Sequence, residues 1–166
     1  MNESPVRVMF VCLGNICRSP TAHGVFRRMV EDAGLTDRIE IASSGTGDWH
    51  IGKPPDRRAA SAALARDIDI DDLRAQQVTA SDLQDCDYVL AMDADNLASL
   101  KNLAKATPDA RAQVALFMSF SSDYRDQSVP DPYFGGEQGF EIVLDMIEDA
   151  SNGLLSDIQT RWAAAQ

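Results

Sequence analysis

The stretch from Val6 to Gly34 constrains the fold more than any other part of the chain. Val6, Val8, Met9, Phe10 and Val11 form a short, nearly continuous apolar run. Such a run is expected of a strand buried on both faces of a parallel sheet. Cys-Leu-Gly-Asn-Ile-Cys-Arg-Ser follows, from Cys12 to Ser19. Pro20 then stands near a helix start, where its missing N–H costs little. Ala22, Val25, Phe26, Met29, Val30 and Ala33 keep a helical period, and Gly34 marks the stop. A loop that leaves the carboxyl end of a buried strand and enters a helix is where open α/β sheets place their ligands.

The rest of the chain repeats the alternation. Ile39 to Ser44 reads as a second strand, and Gly45 to Pro55 as a Gly/Pro-rich loop. Asp56 is placed to cap an Ala-rich helix reaching about Arg66. Tyr88 to Met92 reads as a third strand, with Asp93 capping a helix that carries Leu97, Leu100 and Ala104. Val114 to Met118 reads as a fourth strand. A last helix from about Glu137 to Trp162 has Phe140, Val143, Leu144, Ile147, Leu154, Leu155, Ile158 and Trp162 along one stripe. Strand–helix alternation implies a parallel sheet with helices on both faces. With 166 residues and no linker or low-complexity segment, a single domain over 1–166 is expected.

The first loop carries the chemistry. The backbone N–H groups of Leu13, Gly14, Asn15, Ile16 and Cys17 can point inward at a helix N-terminus, a nest suited to a phosphate-sized dianion. Arg18 can grip two of its oxygens with a planar fork. Cys12 lies below the anion as nucleophile, and a helix N-terminus with a nearby cation favours the reactive thiolate. Thiolate attack on a phosphate monoester expels an alkoxide or phenoxide that needs a proton. Asp131, in Val-Pro-Asp-Pro-Tyr-Phe-Gly-Gly, is the best candidate acid: it lies between prolines in a stiff loop, beside aromatics able to line a pocket.

Composition removes other classes. The net charge of −11 argues against nucleic acid or an anionic membrane as partner. A phosphate ester is itself an anion, so a local positive mouth is expected, formed by Arg18 with Lys53, Arg57 and Arg58. No run approaches the ~20 apolar residues of a membrane helix. The polar, acidic N-terminus does not resemble a signal or transit peptide. The cysteines, odd in number and without scaffold spacing, indicate reduced thiols and a cytoplasmic location. No cofactor is required and no metal-ligand spacing is present, since His23 and His50 are isolated.

Cys12 to Ser19, the pair Asp48-Trp49, and Asp131 to Tyr133 together resemble the low-molecular-weight protein tyrosine phosphatases, over essentially the whole chain. The resemblance implies a phosphate-binding loop on a four-stranded parallel sheet, with Cys12 as nucleophile, Arg18 as clamp and Asp131 as acid and then base. It further implies that Ser19 stabilises the thiolate and that Asn15 and Ser43 brace the loop. Trp49, Tyr133 and Phe134 would wall the phenyl ring, with Leu13 and Ile16 as apolar rim. The implied partner is a tyrosine-phosphorylated protein or peptide, and a monomer is expected. Relatives with both loop cysteines imply a protective Cys12–Cys17 disulfide.

The sequence departs from the pattern at particular positions. Where the family often has a histidine that bonds the loop asparagine, gap-free alignment places Leu73, and the neighbouring arginine becomes Gln76. Either the loop is braced differently or the alignment slips by a residue or two. Position 134 is Phe where many relatives have a second tyrosine. Other readings stand beside these. Cys17 is either a packed small residue or the redox partner of Cys12, and Cys86 reads as core. Asp131 could be a turn former beside proline, and Trp49 a surface anchor. His50 reads as exposed and incidental. An arsenate reductase would need further cysteines beyond the lone Cys86. A phosphoarginine phosphatase usually has Thr at position 16 and lacks the aromatic Tyr133. A non-catalytic phosphate-binding module would not need Cys12 or Asp131.

Overall fold

The structure is a computed structural model that describes residues 4–132 and 137–164; Tyr133 and Phe134 lie outside the described residues. Strand β1 (Val6–Cys12) is followed by α1 (Arg18–Asp32), β2 (Ile39–Gly45), α2 (Arg57–Leu64) and α3 (Ala80–Asp85). Then come β3 (Tyr88–Ala91), α4 (Ala94–Lys105), β4 (Gln113–Leu116), a 3₁₀ turn (Phe117–Phe120) and α5 (Glu137–Ala164). The strands form one sheet of order β2-β1-β3-β4, and each pairing is parallel. The expected four-stranded parallel α/β architecture is therefore observed. Among the described residues no helix is long and apolar enough to cross a membrane.

The period-2 alternation of β1 divides the core. Val6, Val8, Phe10 and Cys12 face the side packed by Phe26 of α1 and Leu144 and Ile147 of α5. Met9 and Val11 face the opposite side, with Leu83 of α3 and Leu100 of α4. Helices thus cover both faces, and Cys12 leaves the sheet on the α1/α5 side. Phe10 sits edge-on to both Phe26 and Phe117, with centroids 5.7 and 4.9 Å away. α5 crosses the 3₁₀ turn so closely at Gly153 that a Cβ there would overlap the Phe120 carbonyl.

The end of the fourth strand and one short helix depart from the sequence expectation. The fourth strand stops at Leu116 and its expected end, Phe117 to Met118, belongs to the 3₁₀ turn. The Ser119 hydroxyl donates to the Leu116 carbonyl at 2.7 Å and helps close that turn. α3 was not expected; it forms on a capping box in which Thr79 and Asp82 exchange side-chain and backbone hydrogen bonds. The caps at Asp56 and Asp93 form as expected, each side chain accepting a backbone N–H two or three residues on.

Candidate active site

The loop from Cys12 to Ser19 joins the end of β1, at the centre of the sheet, to the first turn of α1. Asn15 adopts a left-handed backbone, φ 57°, and its N–H points at Cys12 Sγ, 3.3 Å away. Its side-chain amide donates to Ser19 Oγ at 2.7 Å. Ser19 Oγ in turn lies 3.0 Å from Cys12 Sγ and 3.2 Å from the Ser44 carbonyl. The buried sulfur thus has the Asn15 N–H and the Ser19 hydroxyl within reach, two groups able to stabilise a negative charge on it.

The end of β2 clasps the loop from outside. Thr46 N–H donates to the Cys12 carbonyl and Gly47 N–H to the Leu13 carbonyl, both at 2.9 Å. Gly45 allows this approach, since a Cβ there would sit 2.6 Å from the Leu13 carbonyl oxygen. Below, Gln76 braces the loop asparagine, which the apolar Leu73 does not. Its N–H donates to Asn15 Oδ1 and its side-chain amide to the Ser43 carbonyl, each at 2.9 Å. Leu73 packs against the main core. Ser43 Oγ meets His23 Nδ1 of α1 at 3.1 Å. Asn15 is therefore braced, by a backbone group and not by an imidazole.

Arg18 is 3% exposed and is fixed by partners distant in sequence. Its Nη1 donates to Asp93 Oδ2 at 2.7 Å and to the Val129 carbonyl at 3.0 Å. Its Nη2 lies 3.7 Å from Asp131 Oδ2. Asp93 spends its other oxygen on Asn96 N–H, at 2.8 Å, as the cap of α4. One carboxylate therefore starts a helix and aims the guanidinium. The sequence marked Asp93 only as a cap.

These groups open on a cavity of about 260 Å³ lined by Cys12, Leu13, Gly14, Ile16, Cys17, Arg18, Trp49, His50 and Asp131. Leu13 and Trp49 are exposed large apolar residues at its mouth, and the Trp49 ring lies over Gly47. His50 is a correction: it is half-buried and belongs to the lining, its Cδ2 against Gly14. The positive mouth is a second correction. Among the described lining residues Arg18 is the permanent cation, whereas Arg57 and Arg58 line a separate groove with Phe140, and Lys53 lines neither. Cys17 packs with Ala59 and Phe140, and burial, reinforced by Asp56, pushes its thiol far up. Cys86 is buried on the opposite face of the sheet. Among the described residues no group of three or more His, Cys, Asp or Glu could hold a metal ion.

A nested thiol, a buried guanidinium and a carboxyl at the rim are what an acid-assisted displacement at phosphorus needs. Over residues 7–164 the chain matches the low molecular weight phosphotyrosine protein phosphatases. It belongs to that family. A low molecular weight protein-tyrosine-phosphatase of Streptomyces coelicolor is 45% identical over 155 residues, covering 92% of this chain and 93% of the relative. Among solved structures, YfkJ of Bacillus subtilis superposes with a TM-score of 0.87 at 38% identity, covering 97% of this chain and 99% of that one. A Drosophila structure described as an arginine phosphatase reaches a TM-score of 0.86 at 29% identity, over 92% of this chain and 97% of that one. The fold of this chain is thus shared with low molecular weight phosphatases of known structure.

Proposed function

We propose that this chain hydrolyses phosphotyrosine in proteins or peptides, and small aryl phosphates, through a cysteinyl-phosphate intermediate. One observation carries the reading: Cys12, Arg18 and Asp131 converge on a single cavity whose mouth is walled by Trp49. In the first step the Cys12 sulfur attacks phosphorus as the bond to the phenolic oxygen breaks, and Asp131 gives that oxygen its proton. The loop N–H groups of Leu13 to Cys17 and the Arg18 fork hold the three remaining oxygens. In the second step Asp131, now a carboxylate, takes a proton from water, whose oxygen attacks phosphorus. The P–S bond breaks, inorganic phosphate leaves, and the Ser19 hydroxyl receives the returning thiolate. Asn15, Gln76 and Ser43 hold the loop in shape, while Leu13 and Ile16 form its apolar rim. Tyr133 and Phe134 complete the walls in this reading.

The competing activities on this scaffold have less support. A reductase relay through Cys86 would have to pass from one face of the sheet to the other. Ile16 stands where an arginine phosphatase usually carries Thr. The proposed enzyme is a cytoplasmic monomer, one catalytic domain over 1–166, with neither nucleic acid nor membrane as partner. The net charge of −11 supports the last point. Cys17 is assigned as the redox partner of Cys12.

Phosphotyrosine, phosphoserine and phosphoarginine peptides of one sequence, assayed side by side, test the substrate. Phosphotyrosine should be cleaved far faster, because a shorter side chain does not carry its phosphate past Trp49 to Cys12. Equal rates on phosphoserine and phosphotyrosine, or a preference for phosphoarginine, would overturn the reading.

A further inference from the structure

Ser19 and His23 lie one helical turn apart on α1, on the same face. Both reach β2, and at consecutive residues. Ser19 Oγ lies 3.2 Å from the Ser44 carbonyl, and His23 Nδ1 meets Ser43 Oγ at 3.1 Å. β2 is the strand whose end clasps the catalytic loop, with Gly45 opposite Cys12 in the register. The Ser43 carbonyl also takes the Gln76 amide, and the Gln76 N–H holds Asn15 Oδ1. A continuous chain of hydrogen bonds therefore runs from His23 through Ser43 and Gln76 to Asn15, which donates to Ser19 and points its N–H at Cys12.

The surroundings of His23 keep it fit for this bond. Arg27 and Glu31 of α1 line the same pocket, with Thr36, Ile39 and Ile41 around them. Asp72 faces the pair from the segment after α2, held by the Arg27 guanidinium at 2.9 and 3.0 Å. Burial first, and Arg27 second, push the His23 imidazole down to about 4, with Asp72 opposing. A neutral ring can accept from the Ser43 hydroxyl or donate to it, so the contact persists across the physiological range.

Resting on the phosphatase reading, we propose that His23 is a positioning residue of the catalytic loop. Through Ser43 it sets the rotation of α1, which carries Arg18 and Ser19, against β2, which carries the loop's outer clasp. It touches no reacting atom. Its removal should loosen the nest that grips the three phosphate oxygens, with the fold retained because the core side chains of α1 are untouched.

Inorganic phosphate titrated calorimetrically into the intact protein reads the nest directly, whether or not the protein turns over. His23→Ala should weaken phosphate binding about tenfold, the size of a typical coupling in a shared network. His23→Asn, which keeps a polar atom at the Nδ1 position, should recover most of the loss. Ser43→Ala should match His23→Ala, and the double variant should lose no more than either alone. Wild-type phosphate affinity in both single variants would overturn the assignment. So would full additivity in the double variant, or an asparagine that fails to rescue. Failure of the phosphatase reading looks different: the wild-type protein would then bind phosphate yet leave phosphotyrosine peptides uncleaved.

Discussion

Arg18 Nη1 and Asp93 Oδ2 lie 2.7 Å apart, joining the start of α1 to the cap of α4 across the end of the sheet. With the guanidinium buried and the carboxylate one-quarter exposed, the pair is desolvated enough for its geometry to matter. Asp93 has two separable duties. Asp93→Asn keeps a good cap but removes the charge, whereas Asp93→Ala removes both. The alanine variant should cost about 1 kcal/mol more stability than the asparagine variant, the usual worth of a cap. Both should lower kcat/KM on aryl phosphates by at least about tenfold, since a buried Arg18 without its partner loses its aim. Chemical denaturation alongside steady-state kinetics separates the two effects. Equal stability of the two variants would contradict the capping duty.

Asp131 Oδ2 stands 3.7 Å from Arg18 Nη2 at the rim of the cavity. Asp131→Asn should reduce kcat by roughly 10²–10⁴ on phosphotyrosine, the range for losing a general acid–base group. The loss should shrink on aryl phosphates whose phenol is a better leaving group, because less proton donation is needed. A leaving-group series that gives parallel lines for the two proteins would remove Asp131 from the acid role.

The alternation of strand and helix was legible because β1, β3 and α5 carry long, one-sided or continuous apolar patterns. α3 was not, since a six-residue helix with Leu83 as its buried side chain shows no period. Nor did the run from Val114 to Met118 reveal where extended backbone yields to a 3₁₀ turn, because every residue in it is apolar. In the site, the contiguous loop was readable as a unit. Gln76, Asp93 and His23 were not, because each acts through a partner brought near only by the fold. His50 was missed although it adjoins Trp49, since an isolated histidine in a loop carries no signal of where its ring lies.

Mild peroxide should inactivate the enzyme reversibly. Burial keeps the Cys17 thiol protonated, so peroxide meets the Cys12 sulfur first, beside the Asn15 N–H and the Ser19 hydroxyl, and yields a sulfenic acid and hydroxide. Cys17 sulfur then displaces the sulfenic oxygen, forming the Cys12–Cys17 disulfide and releasing water. A dithiol restores the enzyme. Peptide mass spectrometry should find that bond, and Cys17→Ser should lose activity irreversibly under conditions where the parent recovers. Equal recovery of both proteins would return Cys17 to a packing role.

His23 also predicts a pH dependence of stability. Its folded value, about 4, lies below the ordinary 6.5, so between those limits the unfolded chain binds a proton that the folded chain refuses. Stability should therefore fall as pH drops from about 6.5 toward about 4, by up to about 3 kcal/mol, and the contribution of His23 should level off below that. Asp56, Asp72 and Asp149, held below the carboxylate range by their hydrogen bonds, lose their contributions only at still lower pH. Denaturant midpoints of the parent and His23→Asn across this window check it; the variant should show the shallower slope.

The most direct test is to trap the covalent intermediate. Acid quench of the enzyme during turnover of an aryl phosphate, followed by peptide mass spectrometry, should locate a phosphate on Cys12. Asp131→Asn should raise the trapped fraction if hydrolysis of the intermediate slows more than its formation. Cys12→Ser should yield neither adduct nor turnover. Turnover that persists in Cys12→Ser, or a phosphate trapped on any other residue, would contradict the account.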